Sequence, residues 1–220
     1  MRISVVDLGK ISFQKAFLRQ LDIQKQVLEG EVSHTLVFCE HPHTITSTRR
    51  TDVNNILDHR FILDNNVDYV MGINRGGDIT YHGPGQLMGY MIFDLRNLGR
   101  DLGLFLRNME SSIIKTLAAF NIEACSKAGF RGVWAGDKKI ASIGIGVNKW
   151  VTIHGFGLNV NTELKFFEII RPCGLDIKMT SMKKELRGSL NLGLVKKEFV
   201  RVLNGIFNLD SLNLTCLKEA

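Results

Sequence analysis

RGVWAGDKKIASIGIGVNKWVTIHGFGLNV, residues 131–160, carries the pattern that decides the fold class. Gly136-Asp137-Lys138 is a hairpin-turn signal between Val133-Trp134 and Ile140-Ala141-Ser142-Ile143. Asn148-Lys149 marks a second turn before Val151-Thr152-Ile153-His154. The middle of the chain therefore reads as successive strands. Working outward, residues 34–39 and 67–74 are rich in Val, Leu, Ile, Phe and Tyr and read as further strands. The helices lie towards the two ends. Phe13, Ala16, Phe17, Leu21, Val27 and Leu28 recur near helical spacing, with Ser12 placed to cap the start and Gly30 to end it. A second stripe runs through Leu102, Phe105, Met109, Ile113, Leu117 and Phe120, and a last helix is predicted over 195–208. Strands grouped in the middle with helices outside them indicate α+β, not a regular βαβ alternation. No repeat or low-complexity linker divides the chain, so residues 1–220 read as a single domain, with 209–220 loosely held.

Chemistry concentrates in three segments. The first is Arg75-Gly76-Gly77-Asp78-Ile79-Thr80-Tyr81-His82-Gly83-Pro84-Gly85-Gln86-Leu87. Glycine weakens a plain strand, so such a run suits either bulges and a tight turn or a backbone that approaches a ligand closely. It lacks the Walker spacing and the G-x-G-x-x-G spacing, which argues against a nucleotide cofactor. The second is Arg171-Pro172-Cys173-Gly174, where one of only three prolines precedes a cysteine and a glycine follows it. That setting presents a sulfur on a defined bend. The third is the Lys138-Lys139 corner. Two lysines at a hairpin are ordinarily solvated, but strand alternation sends them to opposite faces, so one of the pair is free to point inward towards a thiol.

Other residues carry less. Cys39, His41 and His43 alternate as a metal cluster would, but Pro42 interrupts them and no further ligand follows at the right spacing. No metal is expected. The cysteines Cys39, Cys125, Cys173 and Cys216 show no CxxC pairing and read as free thiols of a reducing compartment. Hydrophobic residues make up 45% and charged residues 23%, no apolar run is long enough for a bilayer, and Met1-Arg2-Ile3-Ser4 opens no signal core. A cytoplasmic protein without membrane association is the expectation. The formal charge of +6 and pI near 9.2 come from lysines and arginines spread along the chain. They form no aromatic-interleaved cluster, so nucleic acid is not indicated, and an acidic protein partner explains the positive balance equally well.

Taken together, RGGDITYHGPGQL (75–87), GVWAGDKKIASIG (132–144), HGFGLNVN (154–161) and PCGL (172–175) resemble the lipoyl(octanoyl) transferases, the octanoyl-[acyl-carrier-protein]:protein octanoyltransferases. The match runs from Glu40-His41-Pro42 to about Thr180-Ser181-Met182. It breaks at one place: family members commonly run from the His-Pro segment into Thr-x-Gly, whereas Thr46 here is followed by Ser47-Thr48-Arg49-Arg50. The resemblance implies the biotin/lipoate protein ligase-like fold, a central mixed β-sheet flanked by helices. It implies Cys173 as the acyl-accepting nucleophile and Lys139 as its partner. It also implies an acyl pocket lined by Arg75, Gly76, Gly77, Asp78, Ile79, Thr80, Tyr81 and His82, by Ser142, Ile143 and Gly144, and by Gly155, Phe156 and Gly157. The implied donor is octanoyl-acyl carrier protein. The implied acceptors are lipoyl domains of 2-oxoacid dehydrogenase complexes and the glycine cleavage H protein. No cofactor is implied, because a thioester arrives already activated. An ATP-dependent lipoate or biotin ligase, a thioesterase and a non-catalytic acyl-binding module are the competing readings.

Overall fold

A computed structural model describes residues 2–171, 177–208 and the backbone of 211–213. In chain order it contains β1 (Arg2–Lys10), α1 (Phe13–Glu29), β2 (His34–Glu40), β3 (Thr44–Thr48), α2 (His59–Asp64), β4 (Asp68–Ile73), β5 (Thr80–His82) and β6 (Gln86–Ile92). There follow α3 (Leu102–Ala119), β7 (Cys125–Lys127), β8 (Phe130–Ala135), β9 (Lys138–Asn148), β10 (Val151–Asn159), α4 (Met182–Leu186), α5 (Leu192–Phe207) and β11 (Ser211–Asn213). The described strands form a main sheet in the order β11-β1-β2-β6-β10-β9-β8-β7 and a small sheet in the order β4-β3-β5. The main sheet is mixed, since β1 runs parallel to both β2 and β11 while the remaining neighbours are antiparallel.

Local chemistry accounts for the element ends. Ser12 accepts a hydrogen bond from the Lys15 N–H, and Gly30 closes α1 in the left-handed conformation at φ 78°. Asp101 caps α3 through the Leu104 N–H. The last helix starts at Leu192, three residues before the expected 195, because Asn191 supplies the cap by accepting from the Gly193 N–H. The second hairpin turns at Lys149-Trp150, one residue later than expected, with both residues at positive φ. That double left-handed turn matches the twist of the strands it joins.

Two layers of helix cover the main sheet. On one face α3 and α5 bury Phe105, Met109, Ile113, Phe199 and Leu203 against Leu87, Met91, Phe156 and Leu158. On the other, α1 lays Ala16, Ile23 and Val27 over Val37, Met88, Tyr90 and Ile92. A third cluster joins the small sheet to residues 164–170 through Ile45, Tyr81, Phe166 and Phe167. The expected strand over 67–74 exists but belongs to this small sheet, which pattern reading did not separate from the main one.

Candidate active site

A floor of small residues makes the site. Register pairs Gly155 with Tyr90 and with Gly144, and Gly157 with Met88 and with Ser142, so all six share one face of the main sheet. Alternation sends Phe156 and Leu158 into the opposite core. The face so cleared is flat enough for backbone to lie on. A Cβ on Gly144 would stand 2.7 Å from the Gly76 carbonyl oxygen, and one on Gly146 would stand 2.6 Å from that of Asn74. The Gly76 N–H in turn donates to the Ile145 carbonyl at 2.9 Å. The loop between β4 and β5 is thus laid directly on β9.

Between loop and floor lies a cleft of about 740 Å³, mouth included. Arg75, Gly76, Gly77, Asp78, Ile79, Thr80 and His82 line one wall. Ser142, Gly144, Gly155 and Gly157 line the floor, Ile143 and Phe156 border it along the same strands, and Lys139 stands at the edge. Phe13, Met88, Tyr90, His154, Phe167, Ile177 and Met179 complete the lining. Tyr81 is elsewhere. Alternation along β5 turns Thr80 and His82 to the cleft and Tyr81 into the small core, where it stacks on Phe166 at 5.0 Å and bonds His43 Nδ1 at 2.7 Å. The glycine-rich motif therefore splits in two. Its first half lines the cleft, whereas Gly83-Pro84-Gly85-Gln86 is a tight turn, with Pro84 before Gly85 at φ 78° and the Gln86 N–H donating to the Gly83 carbonyl.

Lys139 reaches the cleft through a bulge. Ala141 pairs with Val133 but Lys139 pairs with Trp134, so Ile140 is an extra residue on β9. The bulge reverses the alternation and brings Lys139 to the same side as Ser142, while Lys138 faces a separate hollow. Gly132 gives the side chain its path, since a Cβ there would meet Lys139 Cε at 2.4 Å. Lys139 Nζ lies 5.5 Å from the centre of the Trp134 ring.

A buried chain of hydrogen bonds runs behind the cleft, and its direction is forced from both ends. Arg75, which can only donate, gives Nη2–H to Thr46 Oγ1 at 3.0 Å. At the far end Asn159 Nδ2 donates to the Thr180 carbonyl at 3.0 Å, so Asn159 Oδ1 must accept from Gln86 Nε2 at 2.9 Å. Gln86 Oε1 is then an acceptor, and His82 Nδ1 carries the proton it receives at 2.9 Å. His82 Nε2 keeps its lone pair and accepts from the Thr46 hydroxyl at 3.3 Å. The imidazole is neutral in one fixed tautomer. Burial, with the neighbouring His41 adding to it, depresses the His82 pKa to about 3. Thr180 closes the chain on the lysine strand, because its N–H donates to the Lys139 carbonyl at 2.9 Å.

His154 sits at the inner end. Its backbone is left-handed at φ 65°, its N–H donates to Gln20 Oε1 at 3.0 Å, and its ring stacks on Phe17 at 5.4 Å. Burial depresses its pKa to about 3 as well, and its Nε2 has no hydrogen-bond partner among the described residues. Cys39 is sealed in the core with its thiol pKa raised by desolvation, 3.7 Å from His41 Nε2. No group of three possible metal ligands occurs among the described residues.

Cys173 lies outside the described residues, as does the Pro172-Cys173-Gly174 setting. The chain on either side is anchored. The Arg171 N–H donates to the Asn55 carbonyl at 2.8 Å, and Ile170 bridges to Ile56. Beyond the segment, the Lys139 N–H donates to the Lys178 carbonyl at 2.8 Å, and Ile177 borders the cleft.

Comparison with known proteins sets this geometry in a family. Residues 12–204 match the lipoyl protein ligase A/B catalytic domain. The chain is 43% identical over 209 residues to an octanoyltransferase of Solibacter usitatus, covering 93% of each. It is 39% identical over 236 residues to an octanoyltransferase of Cytophaga hutchinsonii, covering 97% of this chain and 96% of that one. The chain belongs to the octanoyltransferases of the lipoyl protein ligase A/B family. Solved structures agree on the fold of this family member. A bipartite lipoate protein ligase of Thermoplasma acidophilum superposes with a TM-score of 0.74 at 13% identity, over 100% of this chain and 88% of that one. A biotin protein ligase of Aquifex aeolicus gives 0.52 at 14% identity, over 93% and 69%. The mixed sheet between helices is the ligase-like α+β architecture expected from the resemblance. In this octanoyltransferase-family chain the sequence did not disclose the added lining residues, such as Phe13, Met88 and Tyr90, nor the bonded residues Thr46, Gln86, Asn159 and Thr180. Gln86 and Asn159 each lie inside one of the family-like motifs, which was their one available signal, and they pair across β6 and β10. Thr46 and Thr180 had none.

Proposed function

We propose that this octanoyltransferase-family enzyme moves an octanoyl group from octanoyl-acyl carrier protein to a lysine ε-amine of a lipoyl domain, through a thioester on Cys173. The acceptors in this reading are lipoyl domains of 2-oxoacid dehydrogenase complexes and the glycine cleavage H protein. Residues 1–220 act as one catalytic domain in the cytoplasm, where thiols stay reduced. No helix among the described residues is long and apolar enough to cross a membrane.

The observation that carries the reading is the docking of Lys178–Thr180 along Lys139. The chain leaves the Cys173 segment and within a few residues is hydrogen-bonded to both backbone groups of the cleft lysine. A free thiol has a pKa of about 8.5 and is only a few per cent thiolate near pH 7. A neighbouring ammonium favours the thiolate, roughly tenfold for each unit of pKa lowering. In the first step the Cys173 thiolate attacks the donor thioester carbonyl, and the tetrahedral intermediate expels the carrier's thiolate, which takes a proton from the Lys139 ammonium and leaves that amine neutral. In the second step the acceptor amine attacks the acyl-enzyme carbonyl, the Cys173 thiolate leaves, and the amide forms. The proton released by the amine passes to Lys139 in this scheme. His82 is a poor relay, since its free nitrogen is already bonded to Thr46 and its pKa is depressed to about 3.

The test is direct. Incubation with octanoyl-acyl carrier protein should leave an octanoyl group that peptide mapping finds on Cys173. Adding a lipoyl domain should discharge it to a lysine amide. An adduct on another cysteine, or full activity of Cys173→Ser, would overturn the assignment.

A further inference from the structure

Two further hollows adjoin the cleft in a row. The cleft shares Phe167, Ile177 and Met179 with a neighbouring hollow, which shares Leu164 and Lys184 with a third. Together the three make a groove of adjoining hollows whose lining changes along its length. Its inner end is apolar. Further out it is walled first by Lys138, Lys178 and Lys184, then by Lys183 and Arg187. Lys138 is half-buried and the other four are exposed. None of the five is ion-paired with a described residue, although nine other basic residues are. Three carboxylates face the groove: Asp78 in the cleft, which accepts from Asn55 Nδ2 at 2.9 Å, Glu168, and Glu163, which is held by Lys165 at 2.7 Å. Glu185, on the same short helix as Lys183 and Lys184, accepts a hydrogen bond from the Thr180 hydroxyl at 2.5 Å. The uncompensated charge along this track is positive.

We propose that the groove is the docking track of the acyl donor. An acidic carrier protein sits over Lys183, Lys184 and Arg187, the phosphodiester of its arm passes Lys138 and Lys178, and its thioester arrives beside Lys139. This assignment rests on the octanoyl-transfer reading above. The order of chemistry along the groove matches the order along such an arm: alkyl chain, thioester, polar linker, phosphate, acidic protein. An acceptor presents only a lysine side chain and needs no track of this length. The outer cations also abut the reaction centre, since Lys178 supplies the carbonyl that holds the Lys139 N–H. Complementary charge at an interface rim chiefly speeds and steers encounter, and salt weakens it.

The full chain carrying Lys183→Glu and Arg187→Glu tests this, with Lys115→Glu on the exposed side of α3 as a charge control. With octanoyl-acyl carrier protein the double variant should show a KM raised about tenfold or more, with kcat and the KM for the lipoyl domain held within about twofold. The ratio of variant to parent rates with octanoyl-pantetheine, which lacks both phosphate and protein, is the reference for that loss. In the parent, the donor KM should rise several-fold between about 50 and 200 mM salt, with a flatter response in the variant. An unchanged donor KM overturns the assignment, and so does a rise confined to the acceptor, which would give the surface to the lipoyl domain. If the parent transfers nothing from the carrier protein, the octanoyl-transfer reading fails and takes this one with it.

Discussion

Replacing Gly144 with alanine tests whether the small-residue floor builds the site. The added Cβ would stand 2.7 Å from the Gly76 carbonyl oxygen and 3.3 Å from Arg75 Cδ. An ordinary close C···O approach is about 3.3 Å, so the loop must retreat by roughly 0.6 Å. Gly144 is not at positive φ, so the effect is steric and does not come from backbone strain. The retreat pulls against the 2.9 Å bond from the Gly76 N–H to Ile145 and the two bonds from Arg75 to Thr46. Overpacking of this kind costs about 1–3 kcal/mol of stability. A displacement near 1 Å at a positioning segment can cost about a hundredfold in rate, so roughly 0.6 Å should lower kcat/KM for octanoyl transfer some ten- to twentyfold. Urea denaturation measures the first and single-turnover transfer to a lipoyl domain measures the second. Gly205→Ala is the matched control, because nothing lies within 4 Å of its Cβ inside α5, and removing a helical glycine should stabilise by about 0.5–1 kcal/mol. If Gly144→Ala keeps parental stability and its rate stays within twofold, the loop is not held where argued.

Tyr81→Phe removes the hydroxyl bonded to His43, outside the cleft. It should cost about 1 kcal/mol in stability and leave transfer within about twofold; a tenfold loss of rate would put Tyr81 back in the site. Stability should also fall as the solution is acidified. His154 titrates at about 3 when folded and near 6.5 when unfolded, so the unfolded chain binds the extra proton and the folded state loses stability as pH drops below 6.5. At pH 5 that loss is about 2 kcal/mol for this residue, and His154→Asn, which tolerates the left-handed backbone, should lose that much less between pH 7.5 and 5 in urea titrations. Equal slopes for parent and variant would refute the buried neutral imidazole. Lys139→Ala should move the pH midpoint of Cys173 alkylation upward by about one unit, as expected when a nearby cation is lost, and an unchanged profile removes the activating role.

The fold class was legible because hydrophobic period is a local property. Alternation in residues 140–158 and the stripes of α1, α3 and α5 appear in the text of the chain as they do in space. Where the reading stopped, the cause was non-local or a change of period. The strand over 67–74 was visible, but its membership in a separate sheet depends on pairing with β3, which no periodicity encodes. Simple alternation left open which of Lys138 and Lys139 faces inward, because a bulge at Ile140 changes the count. Alternation does exclude Tyr81 from a cleft that takes Thr80 and His82, yet the family motif carried it there as part of an unbroken string. His82 bonds the distant Thr46 and the nearby Gln86, whose orientation is set by the distant Asn159, so neither its tautomer nor its neutrality could be read from sequence.

The bonding pattern also explains why the quoted motifs need one another. Gly144 and Gly146 of β9 let the 74–77 loop lie on the sheet, and the loop delivers Arg75 to Thr46. From Thr46 the buried chain passes through His82, Gln86 and Asn159 to the Thr180 carbonyl, while the Thr180 N–H is held by Lys139. Removing a middle member leaves two buried partners short of a bond, at about 1–3 kcal/mol for each. The wall of the cleft, the lysine strand and the exit of the Cys173 segment are therefore not independent parts, and small changes in the first should be felt at the last.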